Sequence, residues 1–212
     1  MSLCVYMLRH GETEASQHDV FSGKMNPDLS SAGFEMARHF AHQYAKLDWQ
    51  AVYVSPMQRT QSTARPFCEA TGLDMQLRDG LKEMSFGDWE SLTKEQVHET
   101  FADDYVRWLT EPAWNPPTGG ESAVQVASRA SLVLSEIEEK HTDGNVLIVA
   151  HKSTLRIVLC SLLGLDLGRY RDRFTFPVAS VSVVEFGVHG PLLKKHGDRS
   201  HLPADLDARS GT

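Results

Sequence analysis

Short apolar runs rich in β-branched residues recur along this chain, separated by longer stretches with helical spacing, and that alternation constrains the fold most. Residues 3–8, 51–54, 145–150 and 180–186 read as strands. Ser30 is placed to cap a helix whose apolar face is Phe34, Ala37, Phe40, Ala41 and Tyr44. A second helix is predicted over 57–71, interrupted or kinked near Pro66 and ended by Gly72. Thr93 with Gln96, and Ser122 with Gln125, are capping-box pairs that open two more helices, and a last one runs over about 153–163. Strands alternating with helices imply a mainly parallel sheet covered on both faces, hence an α/β, three-layer αβα sandwich. Two segments break the alternation. Residues 84–120, with Trp89, Trp108 and "EPAWNPPTGGES", read as a lid-like insertion, and 187–212 as a polar, partly mobile tail. With no internal repeat, a single domain over 1–212 is expected.

Charge and cysteine usage narrow the partners. The formal net charge of −7 argues against nucleic acid but not against an anionic small molecule, because a site can be locally basic within an acidic protein. The three cysteines, Cys4, Cys68 and Cys160, show no CxxC spacing and read as buried free thiols of a reducing compartment. No signal peptide or membrane span is apparent, so a cytoplasmic protein is expected.

In open α/β sheets, ligands bind beyond the carboxyl ends of the strands. Arg9 and His10 follow the first strand, Arg59 lies just after the second, and His151 follows "NVLIVA". Singly, each has an ordinary structural reading; their arrival at one edge does not. Arginine forks match phosphate oxygens in two-point geometry, a strand-to-helix turn adds backbone N–H donors, and Gly11 allows close approach. The combination suits a phosphoryl group. No phosphate loop of the G-x-x-x-x-G-K-[ST] type, H-E-x-x-H helix or cysteine-rich metal pattern appears, and His39 and His42 lack a third ligand. No metal and no cofactor are implied.

The segments "LRHGET", "FSGKMNPDLSSAG", "VSPMQRTQSTA", "LKEMSFGDWES", "GGES" and "VLIVAHKSTLR" occur in the order found in the histidine phosphatase, or phosphoglycerate mutase-like, superfamily, which the chain resembles over nearly its whole length. The resemblance implies that His10 is a nucleophile forming a phosphohistidine and that Glu83 protonates the leaving alkoxide. Arg9, Arg59 and His151 would hold phosphoryl oxygens, with Ser16, Ser22 and Gly23 as further phosphate contacts. Ser16 stands where many members carry Asn, and Lys152 where most have Gly. Lys152, Met84 and Phe86 are expected at the substrate, with His196, Arg199 and His201 folding back from the tail over the site or a partner subunit's, so a homodimer stays open. The residues after Glu83 lack the Arg- and Tyr-bearing stretch of cofactor-dependent mutases, and the insertion is shorter than theirs.

The expected function is therefore metal-independent hydrolysis of a small anionic phosphomonoester, with O-phospho-L-serine leading because Lys152 adds a cation for a carboxylate. Phosphoglycerate, sugar phosphates and α-ribazole phosphate are alternative substrates. A phosphoglycerate mutase is the alternative activity, and a catalytically inactive binding module the third reading.

Overall fold

The computed structural model describes residues 2–17, 20–209 and 211. In chain order the elements are β1 (Leu3–Arg9), α1 (Glu14–Gln17), α2 (Ser31–Tyr44), β2 (Trp49–Val54), α3 (Gln58–Thr71) and β3 (Met75–Leu77). Then come α4 (Lys94–Thr100), α5 (Ala102–Thr110), α6 (Ala123–Lys140), β4 (Gly144–Ala150) and α7 (Lys152–Leu162). The chain closes with α8 (Tyr170–Arg173), β5 (Val181–Gly187), β6 (Gly190–Asp198) and α9 (Ala204–Asp207). The strands form one six-stranded sheet in the order β3-β2-β4-β1-β5-β6. β1, β2, β3 and β4 run parallel, whereas β5 and β6 are antiparallel to their neighbours.

The uninterrupted apolar run of β4 has a direct packing cause. Val146 and Ile148 point to one face, against Ala130, Val133 and Ile137 of α6 and Leu155, Val158 and Leu159 of α7. Leu147 and Val149 point to the other, against Phe40 and Tyr44 of α2 and Ala64 and Phe67 of α3. All four strand residues are buried, and each such side chain contributes about 1.5–3 kcal/mol. A strand covered on both faces has no room for alternating polar residues.

The caps form as the sequence predicts. Ser30 accepts from the Gly33 N–H, and both capping boxes, at Thr93 and Ser122, are closed in each direction. Gly72 ends α3 in the left-handed conformation at φ 73°. That helix runs unbroken across Pro66, contrary to the interruption expected there. Cys4 and Cys68 are half-buried and only Cys160 is buried.

Residues 84–120 form a single turn at Gly87–Trp89, then α4 and α5, around an aromatic cluster. Phe21, Phe86, Trp89 and Trp108 pack there onto Ile157 and Cys160 of α7 and Tyr170 of α8. The expectation of a mobile tail needs correction. Residues 190–198 are the edge strand β6, and Leu202 and Leu206 are buried against Met36 and Val178. Ser210 and Thr212 lie outside the described residues. The three-residue β3 and the lysine-bearing β6 both escape sequence reading, being short or solvent-facing edges.

Candidate active site

The carboxyl ends of β1, β2 and β4 meet at one edge of the sheet. The His10 N–H donates to the Ala150 carbonyl at 3.1 Å, which extends the β1–β4 ladder by one step. On the other side Arg9 N–H donates to Ser180, and Ala179 N–H donates to the His10 carbonyl, both at 3.1 Å. Ala179 holds a left-handed backbone, φ 56°, a conformation that costs a non-glycine residue about 1–2 kcal/mol. That strain sits where the chain turns to grip the strand that ends at His10. Beyond His10 the backbone passes so close to α2 that a Cβ on Gly11 would lie 2.6 Å from the Gly33 carbonyl oxygen. Glycine is required there, which accounts for one conspicuous element of "LRHGET".

The hydrogen bonds assign the tautomers of both histidines. His10 Nδ1 lies 2.7 Å from the Gly11 carbonyl, an acceptor only, so Nδ1 carries the proton and Nε2 keeps its lone pair. Arg59 Nε–H donates to His151 Nδ1 at 3.2 Å. The proton of His151 is therefore on Nε2, which donates to Ser55 Oγ at 2.8 Å. The two rings lie 5.2 Å apart. Burial first, then the positive charges of Arg59 and Arg9, push the His10 pKa well below 6.5. Burial, Arg59 and His10 do the same for His151. A neutral His10 is the nucleophilic form, and the surrounding charge keeps it so.

The arginines are anchored in part through backbone carbonyls. Arg9 Nη1 donates to Phe176 and, at 3.3 Å, to Gly211. Burial draws the Arg9 guanidinium down to about 9, so it remains cationic at neutral pH. Arg59 Nη1 donates to Met25 at 2.7 Å and Nη2 to Ser22 at 3.3 Å, which ties the 20–29 loop to the site. Glu83 is held by the start of α7, whose N-cap His151 supplies no side-chain cap. Its carboxylate accepts from the Ser153 and Thr154 N–H groups, each at 3.2 Å, and from Met84 N–H at 2.8 Å. Glu83 thus does the work of the missing cap and is fixed beside His151.

A cavity of about 230 Å³ opens over these groups. Arg9, His10, Ser16, Ser22, Arg59, Glu83, Phe86 and Lys152 line it, as the sequence led one to expect. His151 lies beneath, fully buried. Five other expected residues are elsewhere. Met84 is buried in the aromatic cluster, its sulfur 3.6 Å from the Tyr170 hydroxyl. Gly23 packs against the Met84 backbone, where a Cβ would come within 2.1 Å of the carbonyl oxygen. His196 is set between Phe174 and Phe176 and bonds Ser182 Oγ at 3.0 Å. Arg199 caps α9 through the carbonyls of Leu206 and Asp207. His201 is buried against Phe40 and Tyr44. The last three belong to strand and core rather than to a flap, because β6 carries the tail along the sheet edge.

The cavity wall also contains residues that sequence reading left without a role: Lys94, Trp108, Arg156, Tyr170, Arg171 and Asp172. Lys152 and Arg156 are four apart on α7 and share a face, a signal that was available in "HKSTLR". Cavity cations outnumber carboxylates, Arg9, Arg59, Lys94, Lys152, Arg156 and Arg171 against Glu83 and Asp172. This concentration lies within a chain of net charge −7, so the site is a local basic pocket for an anion. Among the described residues no group of three His, Cys, Asp or Glu side chains is disposed to hold a metal ion, and no helix is long and apolar enough to cross a membrane.

Known proteins resemble this chain in sequence and fold. The family model of the histidine phosphatase superfamily (branch 1) matches residues 5–199. Phosphoserine phosphatase 1 of Hydrogenobacter thermophilus is 31% identical over 196 residues, 92% of this chain and 92% of that protein. Glucosyl-3-phosphoglycerate phosphatase of Mycolicibacterium vanbaalenii is 30% identical over 171 residues, 77% of this chain and 76% of its own. The crystal structure of the alpha-ribazole phosphatase from Shigella flexneri aligns with a TM-score of 0.82 at 25% identity, over 92% of this chain and 96% of that one. The match runs from the first strand, through the neutral imidazole and its buried guanidinia, to the end of the sheet: the chain belongs to the histidine phosphatase superfamily.

Proposed function

We propose that this protein hydrolyses a small phosphomonoester through a phosphohistidine on His10, without a metal, and that O-phospho-L-serine leads the candidate substrates. The observation that carries the reading is the His10 tautomer: Nδ1–H is spent on the Gly11 carbonyl, and the Nε2 lone pair is left on a neutral ring beside two buried guanidinia. In the first step Nε2 attacks phosphorus and the P–O ester bond breaks, while Glu83 gives its proton to the leaving oxygen. In the second, water attacks the phosphorus, Glu83 takes a proton from it, the P–N bond breaks and inorganic phosphate leaves. Arg9 and Arg59 face the charge that spreads over the equatorial oxygens, the electrostatic task a metal performs elsewhere, and His151 holds Arg59 from beneath through Nδ1.

Two observations support a substrate with a second anionic group. Lys152 adds a cation to the cavity beyond those the phosphoryl group uses, and one relative is named as a phosphoserine phosphatase. Other relatives carry other substrates in their names, so chemistry rather than kinship favours phosphoserine. Three unpaired thiols suit a reducing, cytoplasmic setting. The test is phosphate release across a panel of phosphomonoesters by the wild type and by His10→Ala, with a search for acid-labile, alkali-stable phosphate on the wild-type chain. Loss of turnover in His10→Ala and a trapped phosphohistidine are expected. Full activity in His10→Ala would overturn the mechanism.

A further inference from the structure

We propose that Arg156 recognises a carboxylate on the substrate, clamping it between α7 and the Arg171 guanidinium. The inference deepens the phosphatase reading above and rests on it for the identity of the anion in the phosphoryl site. Arg156 lines the cavity, yet its Nε is buried with no hydrogen-bond partner, and among the described residues it forms no ion pair. Its neighbours make this costly. Burial and the positive charge of Arg171 both oppose its ionisation. Arg171 is itself pinned, its guanidinium carbon 3.8 Å from the centroid of the Trp108 ring, so the two cations cannot simply separate. The cavity's own carboxylates, Glu83 and Asp172, favour the Arg156 charge from a distance but make no hydrogen bond or ion pair with it. Glu83 is engaged by the α7 backbone, and the exposed Asp172 is paired with Arg169. Two neighbouring guanidinia, one half-buried with unused donors, form a site that is complete only with an anion in it.

The register sets what that anion is. Arg156 lies one helical turn beyond Lys152, about 6 Å along the axis, and α7 begins directly after His151 of the phosphoryl clamp. Helical side chains lean toward the helix N-terminus, so the Arg156 guanidinium reaches back toward the clamp. The second anionic group therefore sits only a few bonds from the phosphorus, in a cavity of about 230 Å³. A short phosphomonoester whose carboxylate lies one or two carbons from the ester oxygen, as in phosphoglycolate and phosphoserine, fits that span, and a planar carboxylate matches an arginine fork. A neutral-bodied ester leaves both guanidinia unanswered.

Equilibrium binding of phosphoglycolate and of methyl phosphate, which share the phosphoryl group and differ in the carboxylate, tests this directly. The wild type should bind phosphoglycolate at least tenfold more tightly. Arg156→Gln should erase that preference, a loss on the order of ten- to a hundredfold on phosphoglycolate with a far smaller change on methyl phosphate. Arg156→Lys, which keeps charge without the fork, should fall between, and Arg173→Gln, an exposed arginine outside the cavity, should leave the ratio intact. Parallel kcat/KM values on O-phospho-L-serine and ethyl phosphate should repeat the pattern. If Arg156→Gln does not fold, Arg171→Gln reads the same ratio. An unchanged preference in the variant, or equal losses on both ligands, overturns the proposal. Absence of turnover on every ester would instead remove the phosphatase reading, while the binding ratio still decides Arg156.

Discussion

Lowering the pH from 7.5 to 5.5 should destabilise this protein through three buried histidines, His201 alone contributing about 1 kcal/mol. His10 and His151 are held well below 6.5, first by burial and then by Arg59. His201 is lowered to about 4, again mainly by burial, and neither of its ring nitrogens has a partner. The unfolded chain protonates the same imidazoles near 6.5, so below that pH it binds protons the native state refuses, and stability falls toward acid. His201 contributes about 1 kcal/mol at pH 5.5 and almost nothing at pH 7.5, and His10 and His151 act in the same direction. The depressed carboxylates, such as Glu136 at about 2, lose stability only below about pH 4.5, outside this window. Urea unfolding in phosphate-free buffer at a series of pH values measures the slope. His201→Phe, which replaces the ring between Phe40 and Tyr44 without touching the cavity, should remove the His201 share of the pH dependence, about 1 kcal/mol between pH 7.5 and 5.5. Equal stability at pH 7.5 and 5.5, or an unaltered slope in His201→Phe, would refute the assignment of neutral buried imidazoles.

Two shorter predictions concern the reaction itself. Phosphate release should survive excess EDTA and gain nothing from added Mg²⁺, since in the proposed mechanism the cavity's guanidinia take the electrostatic role of a metal; a strict metal requirement in the same assay would reject the mechanism. With 3-phosphoglycerate and 2,3-bisphosphoglycerate supplied together, isomerisation should be slow beside phosphate release from the best ester. Rapid interconversion without phosphate release would favour the mutase reading instead.

Sequence patterns carried the central strands and most of the helices because these obey strong local rules. β4 is apolar throughout because α6 and α7 cover one face and α2 and α3 the other. The capping residues reported helix starts for the same reason, since their side chains answer backbone donors two or three positions away. His10, Arg59 and His151 were legible because strand ends converge by topology. The failures have a common cause. His196, Arg199 and His201 are polar residues in a polar segment, and only the pairing of β6 with β5 decides that they join strand and core. Gly23 and Met84 looked like ligand contacts because they sit near Ser22 and Glu83 in sequence, yet a close crossing of two loops turns both away from the cavity. Arg156 was missed because its importance lies in what it lacks, a partner, and no sequence records that.

The placement of β1 at the centre of the sheet has a consequence for how the protein is made. The strand that ends in Arg9 and His10 is synthesised well before both of its neighbours, β4 and β5, which come from residues 144–187, more than a hundred residues later. At about 5–20 residues per second, the nucleophile strand waits on the order of ten seconds before either partner emerges from the ribosome. Throughout that interval its apolar residues are unpaired on both edges, a natural substrate for holding chaperones, and His10 is an ordinary solvated imidazole that protonates near 6.5. Such long-range pairing also makes for slow folding, because distant segments must be joined before any of their contacts stabilise the chain. His10 thus acquires its buried, neutral state only when the later strands return and exclude water from it.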